Sequence, residues 1–351
     1  MPRLFDHDEP ESVALVRLRV GLGDLLCSVP AVRALRARLP RARIVLITFE
    51  EVRPIVERLE PQVELMAFPG WPGIPERPVD EAALPRFLEH ARAQRFDLAL
   101  QAYGANPAAN EVTAALGARR TGGFFTPGTL PDAPDLHTFV PYPQHLHEAE
   151  RHLAVVEHLG APSQGSALAF PLTAADAAEA ARVRAAAGLS ERPYAVIHPG
   201  ATSPSRLWPA ERFAAVADAL AERGLAVAVT GVPGEEALTR AVTAAMRHDA
   251  ADLCGETRLG GYAALLQSAA VLVANDTGSA HLAAALGVPS VTVFLSGDPV
   301  RWSYADPRHA VARVQVECNP CPHLVCPIDH RCATRVTAPA VLAAAERVLS
   351  S

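Results

Sequence analysis

The stretch VALVRLRVGLGDLLCSVPAVRALRARLP, residues 13–40, decides the fold of this chain. Residues 13–20 are apolar and β-branched enough for a buried strand. Gly21-Leu22-Gly23-Asp24 reads as a turn, and residues 25–39 carry Leu, Val and Ala at helical spacing up to Pro40. Strand, glycine turn and helix open an α/β unit. Working outward, IVLITF at 44–49 is the next buried strand, with further strand candidates at 63–68 and 97–101 and a helical stretch at 84–94 between them. After a loop of small residues at 160–165 the alternation resumes. Residues 174–187 are helical and 194–198 (YAVIH) a strand; 209–223 are helical and 226–230 (AVAVT) a strand. Then come a helix at 262–269, a strand at 271–274, a helix at 279–286 stopped by Gly287, and a strand at 290–294. Strands alternating with helices imply parallel sheets with right-handed crossovers. The expectation is an α/β protein of two Rossmann-like domains, residues 1–175 and 176–351, with their sheets facing across a cleft where ligands bind.

Composition bounds the function. The chain has 351 residues, enough for two domains. Its 32 Lys+Arg against 38 Asp+Glu give a net charge of −6, which offers no footprint for sequence-independent nucleic-acid binding. The longest apolar runs fall short of a membrane span. The first twelve residues are polar and acidic, unlike a secretory leader, so a cytoplasmic location is expected and the six cysteines are not read as three disulfides. Arg33, Arg36, Arg38, Arg41 and Arg43 form either a solvated face or a patch steering an anionic acceptor or an acidic membrane surface. Asp6-x-Asp8 precedes the first strand and reads as a polar terminus.

Three loops of the second domain follow strands directly. His198-Pro199-Gly200-Ala201-Thr202 leads to Arg206, whose fork can clamp a phosphate. Thr230-Gly231-Val232-Pro233-Gly234-Glu235 offers amides and a carboxylate. Asn275-Asp276-Thr277-Gly278 opens a helix carrying His281, and amides at a helix start stabilise negative charge. Asp24 is either a helix cap or a general base. The Gly21-x-Gly23 turn admits a nicotinamide reading, although the third glycine position is Leu26 and Asp24 would repel a pyrophosphate. Cys318, Cys321, Cys326 and Cys332, spaced C-x2-C-x4-C-x5-C, are metal ligands, reduced structural thiols or a redox-labile disulfide.

Three blocks carry a resemblance. VGLGDLLCSVPAVRALRARLPRARI (20–44), HPGATSPSRLWPAERFAAVADAL (198–220) and NDTGSAHLAAALGVPSVTVF (275–294) resemble, in order and approximate spacing, the signatures of glycosyltransferase family 9, the ADP-heptose:lipopolysaccharide heptosyltransferases. The resemblance implies the GT-B fold, with an N-terminal acceptor-binding and a C-terminal donor-binding domain. It implies inverting transfer of heptose from ADP-heptose to a glycan or lipopolysaccharide-type hydroxyl. Asp24 matches the catalytic base, and Arg206 stands where the family has a phosphate-neutralising lysine. Thr277 and Gly278 match the amides that hold the pyrophosphate, with His281 close by and Asp276 on the transferred sugar. Thr202 and Glu235 line the nucleotide, and Gly23 joins the donor-binding set. No cofactor or metal is expected beyond the nucleotide-sugar donor. A glycan or lipid-linked acceptor, peripheral contact at the inner face of the cytoplasmic membrane and a monomer complete the expectation. The chain departs from the family at Arg206 and at Leu295-Ser296-Gly297-Asp298, where a Gly-x-Thr turn is usual. An NAD-dependent oxidoreductase and a non-catalytic nucleotide-sugar binder are the alternatives.

Overall fold

The computed structural model describes residues 3–59, 62–129 and 136–350. The chain divides into two compact units, Met1–Pro171 and Leu172–Ser351. Among the described residues each unit holds one six-stranded sheet.

In the first unit the strands are β1 (Ser12–Val16), β2 (Arg43–Thr48), β3 (Glu64–Ala67), β4 (Leu98–Gln101), β5 (Arg120–Phe125) and β6 (Phe139–Pro141). They are all parallel, in the order β3-β2-β1-β4-β5-β6. Alternate residues serve opposite faces. Val13, Leu15, Ile44, Leu46, Leu98 and Leu100 enter one core cluster, while Ala14, Val16, Val45, Ile47 and Ala99 enter another. Both faces are covered, as a parallel sheet requires, which is why these strands read as continuous apolar runs.

The opening motif departs from expectation in two places. The strand ends at Val16, because the Arg19 N–H turns back onto the Arg17 carbonyl and leaves the ladder. The helix is split into Leu22–Leu26 and Val29–Arg38. Pro30 explains the break: it has no N–H to give the preceding turn, so it sits in the first turn of a new helix with Ser28 at the N-cap position.

The second unit repeats the topology. Its strands are β7 (Tyr194–His198), β8 (Ala226–Val229), β9 (Ala251–Asp252), β10 (Val271–Asn275), β11 (Ser290–Val293) and β12 (His309–Ala312), all parallel, in the order β12-β11-β10-β7-β8-β9. Ala195, Ile197, Val227, Val229, Val271, Val273, Val291 and Val293 pack on the helices Ala210–Ala221 and Ala338–Leu349. In both units the strand order reverses between the first and fourth strand. Loops leaving the carboxyl ends of β1 and β4, and of β7 and β10, therefore frame a crevice in each unit, the place where such sheets bind ligands. Each unit is thus a Rossmann-like α/β sheet, the pair of domains that the GT-B expectation calls for. No helix among the described residues is long and apolar enough to cross a membrane.

Candidate functional site

At the end of β1 an arginine sits inside the fold. The Arg17 side chain is 0% exposed. Its guanidinium donates to the carbonyls of Ala102 (3.1 Å), Tyr103 (3.2 Å) and Asp24 (3.0 Å), and to the carboxylates of Glu148 (3.0 Å) and Asp24 (3.2 Å). Buried charge is tolerated only with such pairing and bonding. Glu148 is equally buried and also faces Arg151 at 3.6 Å and His152 at 3.4 Å.

Asp24 therefore does not cap the helix. Gly21 is the N-cap, and Asp24 lies at the third helical position with 24% of its side chain exposed. Its Oδ1 is tied to Arg17 and lies 3.9 Å from Arg19. Its Oδ2 covers Gly21 so closely that a β-carbon there would meet it at 2.5 Å. A carboxylate held in this way and reachable from solvent can still accept a proton from a substrate hydroxyl. Arg19 lies over the Tyr103 ring and pairs with Glu76 at 2.6 Å, and the Tyr103 hydroxyl donates to the same carboxylate at 2.8 Å. Burial holds the Tyr103 phenol well above its usual value, so it acts as a neutral donor. Gly23 is buried within the helix Leu22–Leu26. Of the arginine cluster, Arg36 bonds the carbonyls of Pro40, Ala42 and Gln62, Arg38 engages Glu9 and the Phe5 carbonyl, and Arg43 engages Glu64. These three arginines are thus tied into the first unit.

In the second unit the crevice is organised by Asn275, which is fully buried. Its amide donates to the Pro199 carbonyl at 2.7 Å and accepts from the Trp208 N–H at 3.2 Å, joining the loops after β7 and β10. Arg206, 33% exposed, lies in a 3-10 turn, Pro204–Arg206. It reaches the Asp276 carbonyl at 3.5 Å and the Asp276 carboxylate at 3.7 Å. Asp276 is 3% exposed. Thr277, not Asp276, is the N-cap residue of the helix Gly278–Leu286, and the Thr277 side chain makes no capping bond. The half-buried Thr277 and Gly278 thus present backbone at a positive helix terminus beside a guanidinium, a setting suited to an anion. His198 is buried, and burial lowers its imidazole to about 4, so the positive charge here comes from Arg206.

The Glu235 carboxylate accepts from the Val232 N–H at 2.9 Å and lies directly over Gly200, where any β-carbon would collide with it. Burial, opposed by the Val232 amide, holds this carboxyl above its usual range. Thr202 is exposed in the loop after β7. His281 is buried, with Nδ1 2.5 Å from the Tyr304 hydroxyl and its ring edge-on to Trp302 and Tyr304.

Gly297 closes the wall behind Asp276: a β-carbon there would fall on the Asp276 carboxylate. Asp276 is too buried to step aside, so Gly297→Ala should weaken binding of a nucleoside diphosphate at least tenfold by calorimetry, about 1.4 kcal/mol. Affinity within twofold of the parent would show that this wall does not shape the site.

Cys318, Cys321, Cys326 and Cys332 line one small pocket with Ser205 and His330. The thiols are free, and among the described residues no group of three His, Cys, Asp or Glu is placed to hold a metal ion. Burial pushes the Cys332 thiol up.

The family model of glycosyltransferase family 9 (heptosyltransferase) matches residues 86–331. The chain belongs to glycosyltransferase family 9. The match begins after Asp24 and takes in Thr202, Arg206, Glu235, Asp276, Thr277, Gly278 and His281. Lipopolysaccharide heptosyltransferase 3 of Escherichia coli (strain K12) is 25% identical over 293 residues, 80% of this chain and 81% of the relative. The crystal structure of the glycosyl transferase family 9 from Veillonella parvula DSM 2008 superposes with a TM-score of 0.81 at 20% identity, covering 97% of each chain. The E. coli ADP-heptose lps heptosyltransferase II superposes with a TM-score of 0.74 at 20% identity, over 97% of this chain and 98% of that one. The family 9 chain is a glycosyltransferase, which sets aside the oxidoreductase alternative. Sequence reasoning missed Arg17, Glu148 and Tyr103, and it named Asn275 in the third loop without giving it a part. Only Arg17 carried a signal, as a charge inside an apolar strand.

Proposed function

We propose that this family 9 transferase moves a heptose from ADP-heptose to a hydroxyl of a lipopolysaccharide-type glycan or lipid-linked acceptor. The observation that carries the reading is the meeting of Arg206 and Asp276 at the start of the helix Gly278–Leu286. Departure of ADP from the anomeric carbon develops charge on the diphosphate. Arg206 and the Thr277 and Gly278 amides are assigned to receive it, where preorganised donors contribute most. Asp276 is assigned to the sugar, and Thr202, Glu235, Gly23 and His281 to the walls of the donor site. Asp24 is assigned as the base that takes the acceptor proton for attack with inversion. In this reading the unit Leu172–Ser351 takes the donor and Met1–Pro171 the acceptor. ADP-heptose as donor is supported by the names of the relatives above.

The test is direct. Arg206→Ala should weaken ADP binding roughly 10- to 100-fold by calorimetry, the worth of a lost charged hydrogen bond. Unchanged affinity would remove Arg206 from the phosphate site. Mass spectrometry of a donor screen should show turnover of ADP-heptose. Stabilisation by donor without turnover on any glycan acceptor would instead mark a binder.

A further inference from the structure

The cysteine loop is hydrogen-bonded to the turn that carries Arg206. The Ser205 N–H, next to Arg206, donates to the Leu324 carbonyl at 2.9 Å. The Ser205 carbonyl lies 2.9 Å from His330 Nε2, so that nitrogen carries the proton and donates. The Ser205 hydroxyl meets that of Ser296 at 3.0 Å, and the Ser296 carbonyl accepts from the Cys321 N–H at 2.9 Å. Ser296 precedes Gly297, the wall against Asp276. One loop thus braces both sides of the Arg206–Asp276 pair through the backbone.

His330 is the keystone. It holds a left-handed conformation, φ 51° and ψ 39°, which residues with a β-carbon rarely adopt unless their surroundings enforce it. The enforcement is visible: its N–H donates to Cys326 Sγ at 3.3 Å, while its ring reaches Ser205. We propose that His330, seated by Cys326, is a positioning residue that sets the Arg206 turn for the donor diphosphate, so that the cysteine loop acts as a strap on the donor site. This inference rests on the assignment of Arg206 to the donor phosphate.

The experiment uses the full chain with ADP as probe, and compares His330→Ala, His330→Gln and His330→Phe with Arg206→Ala. Loss of one neutral hydrogen bond predicts roughly 2- to 12-fold weaker ADP binding and a matching rise in donor KM for His330→Ala and His330→Phe. Acceptor KM should stay within twofold, and kcat at saturating donor should fall by no more than ADP affinity does, because Arg206 also receives the charge on the leaving diphosphate. His330→Gln, whose amide reaches the same carbonyl, should recover the affinity. Should His330→Ala not fold, the Gln and Phe variants carry the same contrast. If ADP affinity follows thermal stability rather than the presence of a donor at position 330, or if all three variants bind ADP as the parent does, the strap is refuted. That failure is distinguishable from failure of the parent reading: Arg206→Ala weakened with His330 variants unchanged sinks the strap alone, while Arg206→Ala unchanged sinks the phosphate assignment.

Discussion

Asp24→Asn should lower kcat about 10²–10⁴-fold, the range for loss of a general base, with ADP affinity unchanged. The substitution is isosteric. The Asn oxygen can keep the bond that Oδ1 accepts from Arg17, and Arg17 retains Glu148 and the carbonyls of Ala102 and Tyr103. The side chain is partly exposed, so little stability should be lost. What disappears is the proton acceptor and one negative charge, while Glu148 remains as the counter-charge of Arg17. Single-turnover kinetics with donor in excess isolate the chemical step, and turnover within threefold of the parent would remove Asp24 as base.

The second large effect is on stability. Glu148→Ala leaves the fully buried Arg17 without its buried counter-charge, and removes the carboxylate shared by Arg151 and His152. Breaking a buried pair by deleting one partner costs about 3–5 kcal/mol. For a unit of this size that lowers the unfolding midpoint by roughly 6–20 °C. Calorimetry should show the shift in the transition of Met1–Pro171. Because Arg17 also anchors Asp24, turnover should fall even below the new midpoint. Replacing both partners, Arg17→Met with Glu148→Leu, should recover much of the stability, since paired apolar groups need no compensation. A loss under 1 kcal/mol in the single variant would mean that water or a neighbour satisfies Arg17.

Much of this protein is legible locally. Runs such as IVLITF and YAVIH read as strands because parallel strands bury both faces. The strands that escaped reading lack that signal. β5 carries Gly122 and Gly123, with Gly123 at φ +130° against the Gln101 backbone, where no β-carbon fits. β9 is two residues long, and β12 is only partly buried at the sheet edge. The helix 25–39 was read through Pro30 because the apolar spacing continues across it, although proline forces a restart.

The site divides along the same line. The alternation of strands and helices and the three signature blocks are local patterns, and from them alone the sequence determined a two-unit α/β glycosyltransferase fold with Asp24, Arg206 and the Asp276 turn at strand ends. Tertiary structure decided what those residues touch. It tied Asp24 to Arg17, and Arg17 to Glu148 across 131 positions of chain. It placed Asp276 against Gly297 and set the cysteine loop behind Arg206. Those partners lie far apart in the chain, and their worth comes from burial and pairing. Both are properties of the closed fold, and no local periodicity records them.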